Sequence, residues 1–387
     1  MPAINVPQPE FMEDEEISIF ADAVGKFYQQ HAPEKRVLKW REDGQVERGF
    51  WNEAGQAGLL GVSVPEEYGG HGGDFRHEMV VIDQQAKHGV EGFAASLHNT
   101  VILPYLVRHG TEEQKKKYLP KLVSGELVSA IAMTEPGVGS DLQSVTTTAL
   151  KDGNGYRING AKTYISNGQT ADFIIVVAKT DPNERAKGIS LMLLETEGAE
   201  GFQRGKKLDK IGLDASDTSE LFFDDVFVPA ENVLGGEEGK GFYQLMGELP
   251  QERLIIAMGA MTGIEKALET TLDFVKNRKA FGQTIWDFQN TQFVMADLKA
   301  RATAAKIFVN DCIAKHLKRE LDVPTACMAK YWVTELQGEV VDKCLQFHGG
   351  AGFINDYPIA RMYRDSRITR IFGGSNEVMK MVIARSM

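Results

Sequence analysis

Five short stretches of the 387-residue chain carry side chains or bare backbone able to do chemistry. In residues 132–142 (AMTEPGVGSDL), Pro136, Gly137 and Gly139 leave backbone uncovered, while Thr134 and Ser140 add neutral donors. The amides of such a loop can cradle a pyrophosphate or the polar edge of a ring; an ordinary tight turn is the competing reading. In residues 164–168 (YISNG), Tyr164 stands two positions before Ser166, so both lie on one face of a strand. That pairing suits a stacked heterocycle, and also an ordinary strand end. Residues 278–292 (RKAFGQTIWDFQNTQ) read as a loop and helix start carrying Arg278, Phe281, Gln289 and Gln292. Arginine grips phosphate through two parallel hydrogen bonds, although a solvated helix end fits equally well. Glycine pairs in residues 346–353 (QFHGGAGF) and 372–378 (FGGSNEV) interrupt helical sequence. Each glycine costs a helix roughly 1 kcal/mol, so these pairs mark breaks or close backbone approaches. His348 reads as a hydrogen-bonded structural residue. The eight histidines show no HExxH-type spacing, and no metal site is expected.

The elements that must position these stretches fall into three regions. Residues 1–127 carry apolar residues at helical spacing, with Thr111 before Glu112 and Glu113 as an N-cap and acidic first turn. Residues 128–236 switch to short β-branched and aromatic runs, with Asp152-Gly153, Asn154-Gly155, Asn159-Gly160 and Asn167-Gly168 as turn signals. That pattern predicts an antiparallel sheet or barrel. Residues 237–387 return to helix. Residues 251–278 read as one long helix, with residues 290–317 as its neighbour, as in a helical bundle.

Composition excludes several function classes. With 43% apolar and 25% charged residues the chain is globular, and its length favours two or three packed units. No apolar run reaches the roughly 18 residues of a membrane span. A net charge of −11 without a basic tract excludes a nucleic-acid coat. Cys312, Cys327 and Cys344 lack CxxC spacing and read as buried structural thiols. The Pro-rich, acidic start resembles neither a secretory signal nor a transit peptide, so a cytoplasmic protein is expected.

AMTEPGVGSD, YISNG, RKAFGQTI with the following FQ, and QFHGG, in this order, resemble the acyl-CoA dehydrogenase family, from about Glu15 to Arg385. ELPQERLIIA, CMAKYW and FGGSNEVMK are most similar to its long-chain branch. The resemblance implies a mainly α chain with a central β-barrel: an α-helical domain, the barrel and a C-terminal four-helix bundle, assembled as a homotetramer. It implies FAD as cofactor, fatty acyl-CoA as substrate and an electron-transferring flavoprotein as acceptor. Met133, Thr134, Gly139 and Ser140 would lie along the flavin, with Ser140 also at the acyl-CoA. Tyr164, Ile165 and Ser166 would cover the ring and bond its polar edge. Arg278, Phe281, Gln289, Gln346, Phe347, Gly349 and Gly350 would hold the pyrophosphate and adenosine, partly across a subunit boundary. Ser375, Asn376 and Glu377 would reach the same nucleotide, and Tyr243, Arg253, Gly373 and Gly374 would join Ser140 at the substrate.

One departure decides where the base must be. Most members carry the catalytic glutamate in a Tyr-Glu-Gly-Thr motif near the C-terminus, where this chain has Phe372-Gly373-Gly374-Ser375. Glycine cannot take a proton. The long-chain and isovaleryl branches use a glutamate on another helix, and their motif matches Gln251-Glu252-Arg253. Glu252 is thus the expected α-proton base, with the β-hydride passing to flavin N5; without the resemblance, a surface ion pair with an arginine would be its plainer reading. Burial under the acyl chain should raise its pKa, and Pro250 just before it should disturb the helix and aim it inward. Residues 91–101 (EGFAASLHNTV) are expected at the pocket floor. Two rivals stand beside this reading: a related flavoenzyme (a branched short-chain isovaleryl-type dehydrogenase or an oxidase), and a silent acyl-CoA-binding homologue, suggested by Gly373.

Overall fold

The computed structural model describes residues 3–387. The first region is helical: α1 (Glu15–His31), α2 (Glu34–Asp43), α3 (Arg48–Gln56) and α4 (Phe75–Lys87), then α5 (Leu103–His109) and α6 (Glu112–Val123). Local chemistry fixes their starts. Asp14 caps α1; Asp74 with His77 and Thr111 with Gln114 form reciprocal capping boxes on α4 and α6. A π-helical segment, Leu97–Ile102, runs directly into α5. Such wide turns concentrate at functional sites, and this one occupies the expected pocket floor.

Seven strands follow: β1 (Ser129–Ala132), β2 (Thr148–Asp152), β3 (Gly155–Ser166), β4 (Phe173–Lys179), β5 (Ile189–Glu195), β6 (Phe202–Lys207) and β7 (Thr218–Pro229). They form one curled sheet in the order β1-β4-β2-β3-β7-β6, with β5 on β4. The expectation of purely antiparallel pairing fails at β4, which runs parallel to β1 and β2. β4 and β5 are buried on both faces. Phe173, Ile175 and Val177 join the core shared with the helices, and Ile174, Val176 and Ala178 the core inside the curl. Asn159-Gly160 is not a turn, as its composition suggested, but an irregularity within β3, where the register with β7 shifts. A second shift between Lys162 and Ile165 is the bulge that turns Tyr164 outward at φ 60°.

The last region contains α7 (Gly241–Asn277), a small hairpin of β8 (Lys279–Ala280) and β9 (Gln283–Thr284), α8 (Gln289–Leu317), α9 (Val323–Phe347), α10 (Pro358–Ser366) and α11 (Asn376–Ala384). At 1.5 Å per residue, the 37 residues of α7 extend roughly 55 Å. The helix continues unbroken through Pro250, because surrounding packing holds the turn that proline leaves without an amide. Cys312, Cys327 and Cys344 are buried and free in the bundle.

The three regions meet at a buried cation. Arg41 of α2 bonds Glu91, Asp214 on the β6–β7 connection at 2.7 Å, and Asp365 on α10 at 3.0 Å. Arg361 and Arg364 of α10 complete the network. Arg41→Met should therefore leave Asp365 without a cation, and Glu91 and Asp214 with only Arg361 and Arg364, and cost about 2–4 kcal/mol of stability at neutral pH. Chemical denaturation at neutral pH should show that loss.

Candidate active site

Glu252 lies within a run of α7, residues 251–255, that is buried on every side. Only 7% of it is exposed. Tyr105 of α5 donates its hydroxyl to Oε1 at 2.8 Å. Burial raises the carboxyl to about 7; the Tyr105 hydrogen bond opposes this, Glu248 reinforces it and Arg253 opposes it. The surface arginine pair does not form. Arg108 instead bonds Glu248, and donates to Gln251 Oε1 at 2.8 Å. Arg253 is buried in the bundle, donating to Cys327 Sγ at 3.2 Å. A buried carboxyl poised near neutrality, with no cation on it, can take up a proton.

Gly373 faces the same stretch of α7. Its φ is 64°, and a Cβ built there would lie 2.3 Å from Ile256 Cδ1, one turn beyond Glu252. Lys330 of α9 fixes this loop from below, donating to Gly374 O and Asn376 Oδ1, each at 2.9 Å. Burial, then the Arg253 charge, lowers its pKa to about 8.

The loop after β1 and the end of β3 come together. Thr163 N bonds Thr134 O at 2.9 Å, and Asn167 Nδ2 bonds Ser129 O at 3.0 Å. Beneath them, buried Lys162 donates to Glu135 Oε1 at 2.9 Å and to Met133 O at 3.0 Å. Burial works against the Glu135 charge, but Lys162 and the Thr146 and Thr147 donors outweigh it and hold the carboxyl at about 2. On this base Met133 and Thr134 are half-buried, Gly139 and Ser140 are exposed, and Tyr164 is 68% exposed. Ser166 is half-buried. The Ile165 side chain points into the sheet core, leaving only its backbone for a ligand. A Cβ on Gly137 or Gly139 would meet nothing within 4 Å, so this backbone is open to an approaching group.

The remaining expected residues divide. Arg278, the strained and 96% exposed Phe281, and Gln289 lie at the far end of α7. Gln346, Gly349 and Gly350, exposed beside half-buried Phe347, join them there, since His348 stacks on Phe274 at 4.2 Å. That end is roughly 40 Å along α7 from Glu252, at 1.5 Å per residue, beyond the span of one dinucleotide. Ser375 is half-buried and caps α11, with Glu377 exposed in its first turn. Asn376, expected at the nucleotide, is instead turned inward: its amide bonds Thr334 and Glu335 while its oxygen takes Lys330. The buried Arg253 is likewise turned away from a surface ligand, whereas Tyr243 is exposed on α7. Tyr105, Arg108 and Lys330 escaped the sequence reading because their partners lie 147, 140 and 44 residues away.

Three family models cover the chain in order: the acyl-CoA dehydrogenase N-terminal domain on residues 14–126, the middle domain on 130–226 and the C-terminal domain on 239–387. The chain belongs to the acyl-CoA dehydrogenase family. It is 47% identical over 374 residues to the mitochondrial long-chain specific acyl-CoA dehydrogenase of Sus scrofa, covering 96% of this chain and 86% of that one. It is 39% identical to the mitochondrial isovaleryl-CoA dehydrogenase of Pongo abelii, covering 94% and 86%. The crystal structure of an acyl-CoA dehydrogenase from Geobacillus kaustophilus superposes with a TM-score of 0.94 at 45% identity, covering 96% and 98%. The family's members are FAD-dependent, and this chain is an acyl-CoA dehydrogenase of fatty acid β-oxidation. The open Gly137–Gly139 backbone beside exposed Tyr164 fits a flat, polar-edged ring. Among the described residues no helix is long and apolar enough to cross a membrane.

The buried Glu252 carboxyl should also be visible in stability. Unfolded it ionises near 4.5 and folded near 7. Its contribution is therefore full below pH 4.5 and is lost as pH rises through 7. Glu252→Gln should be more stable than the wild type at pH 8–9, by at most on the order of 3 kcal/mol. Denaturation at pH 5, 7 and 9 should show the difference growing with pH.

Proposed function

We propose that Glu252 is the base that removes the α-proton of a medium- to long-chain fatty acyl-CoA, giving the trans-2-enoyl thioester. One observation carries the reading: a buried, cation-free carboxyl poised at about 7 on α7, one turn from the contact with Gly373. A thioester α-proton is weakly acidic, so removal needs aimed donors on the developing enolate oxygen. The Gly373 amide is one such donor, and glycine retains it. FAD, when bound, supplies the acceptor for the β-hydride. Thr134, Ser140, Tyr164 and Ser166 would border its ring, and the acyl chain, once bound, keeps water from Glu252 and strengthens the base.

The long-chain preference is supported by the Sus scrofa relative, and the segment at residues 97–102 is the wall that would set it, since Gln251 Nε2 bonds Thr100 O at 2.7 Å. Arg278, Gln289, Gln346, Gly349 and Gly350 would hold the nucleotide of a neighbouring subunit, because they lie too far from Glu252 to serve the same one. Phe281 and Phe353, 96% and 89% exposed, suit burial in a homotetramer. An electron-transferring flavoprotein is the proposed acceptor.

Mixed anaerobically with acyl-CoAs from C4 to C18, the wild type should bleach its flavin most completely with the longer chains. Glu252→Gln should keep the yellow cofactor and lose turnover by about 10²-fold or more; turnover within a few-fold of wild type rejects the base, and a C4–C5 optimum favours the isovaleryl-type reading. A relocated base tests the facing geometry. Gly373→Glu with Glu252→Gly should recover activity only when Ile256→Ala clears the 2.3 Å contact, with steady-state rates as the readout.

A further inference from the structure

Helix α5 braces α7 at the turn where Pro250 has removed an amide. Three α5 residues reach three different polar groups there. Tyr105 bonds Glu252, Arg108 bonds both Glu248 and Gln251, and His109 Nε2 meets Glu248 Oε1 at 3.1 Å. The π-helical segment before α5 adds Thr100 O as acceptor for Gln251. The charged and titratable groups around Glu252 are therefore accounted for. On α7 itself these are Glu248, paired with Arg108 and bonded to His109, and Arg253, turned to Cys327. On α9, Cys327 and Lys330 face Arg253. On α8, His316 feels mainly its own burial, then Arg108 and Glu248. Among the described residues Tyr105 is the one side chain that donates to the Glu252 carboxylate.

The chemical type of this donor matters. A lysine or arginine in its place would form an ion pair and weaken the carboxylate as a base. An apolar residue would leave it free to rotate and would favour its protonated form. A phenol lies between the two, since it stabilises the ionised carboxylate through a neutral hydrogen bond, lowering its pKa less than a cation would, and occupies one oxygen only. The phenol itself stays protonated: burial, then the Glu252 charge, raises Tyr105 well above the ordinary tyrosine value.

We propose that Tyr105 is a positioning residue for the dehydrogenation, holding Glu252 by Oε1 so that Oε2 faces the substrate α-carbon and setting the pH above which the base is ionised. The inference rests on the reading of Glu252 as base. It assigns to an α5 residue, 147 positions away in sequence, control over when that base is competent.

The test is the pH dependence of kcat/KM in the FAD-loaded enzyme. Tyr105→Phe keeps the ring and removes only the hydroxyl. Loss of a hydrogen bond to the ionised form raises the carboxyl pKa, so the acid limb should move up by about one pH unit or more. Activity should fall about tenfold or more at pH 6, with the deficit shrinking towards pH 9. A merely structural role would lower activity alike at all pH values and leave the limb in place, which overturns the proposal. Glu252→Gln, measured in parallel, separates the two readings. If it is inactive and the Phe variant keeps the wild-type limb, the positioning role alone fails; if it turns over within a few-fold of wild type, the base reading fails. Site-specific 3-fluorotyrosine at 105 preserves packing should Phe not fold. Its more acidic hydroxyl donates a stronger bond and should shift the limb to lower pH, and an unmoved limb there also overturns the proposal.

Discussion

Withdrawing a carboxyl group from water costs several kcal/mol unless partners replace its lost hydration, and the protein accepts that cost at Glu252. The carboxyl is enclosed in α7 with one neutral donor, Tyr105, and no cation upon it. Much of the surrounding architecture follows from keeping it there. The turn of α7 next to Pro250 is gripped by Tyr105, Arg108 and His109 of α5 and by Thr100 of the π-helical segment. On another side, the loop at Gly373 comes so close that a side chain there would strike Ile256. The glycine that removed the usual base thus also makes room beside the helix that carries its proposed replacement.

A second constraint is length. From Glu252 to the hairpin bearing Phe281, α7 runs roughly 40 Å. The residues with phosphate-binding character at Arg278, Gln346, Gly349 and Gly350 therefore sit at the opposite end from the candidate base. The sheet supplies open backbone at Gly137 and Gly139, on a foundation of buried Lys162 and Glu135. Arg41, gripping Glu91, Asp214 and Asp365, keeps the first helices, the sheet and the bundle in one arrangement.

Local signals proved a sound guide where the physics is local. The Thr111 N-cap with its acidic first turn, the long helix after residue 250 and the alternation of strands with turn residues depend on contacts within a few positions, and they stand in the structure as expected. Local signals misled where pairing is long-range. Asn159-Gly160 has turn chemistry but falls inside β3, because β2 and β7 pair with the strand on either side, Asn159 with Thr148 and Gly160 with Phe223. Asn376, which the family resemblance put at the nucleotide, has its side chain turned inward, its oxygen accepting from Lys330 46 residues away.

By itself the sequence determined the three-region order, the family, and the glycine at 373 that sends the search for a base to Glu252, since these are matters of residue identity and spacing along one chain. Only the tertiary structure decided that Glu252 is buried rather than paired at the surface, that its pKa stands at about 7, and that Tyr105 holds it. A pKa is a property of the medium around a group and of the donors aimed at it. Here those come from α5, and no spacing within one helix can report a contact made across 147 residues.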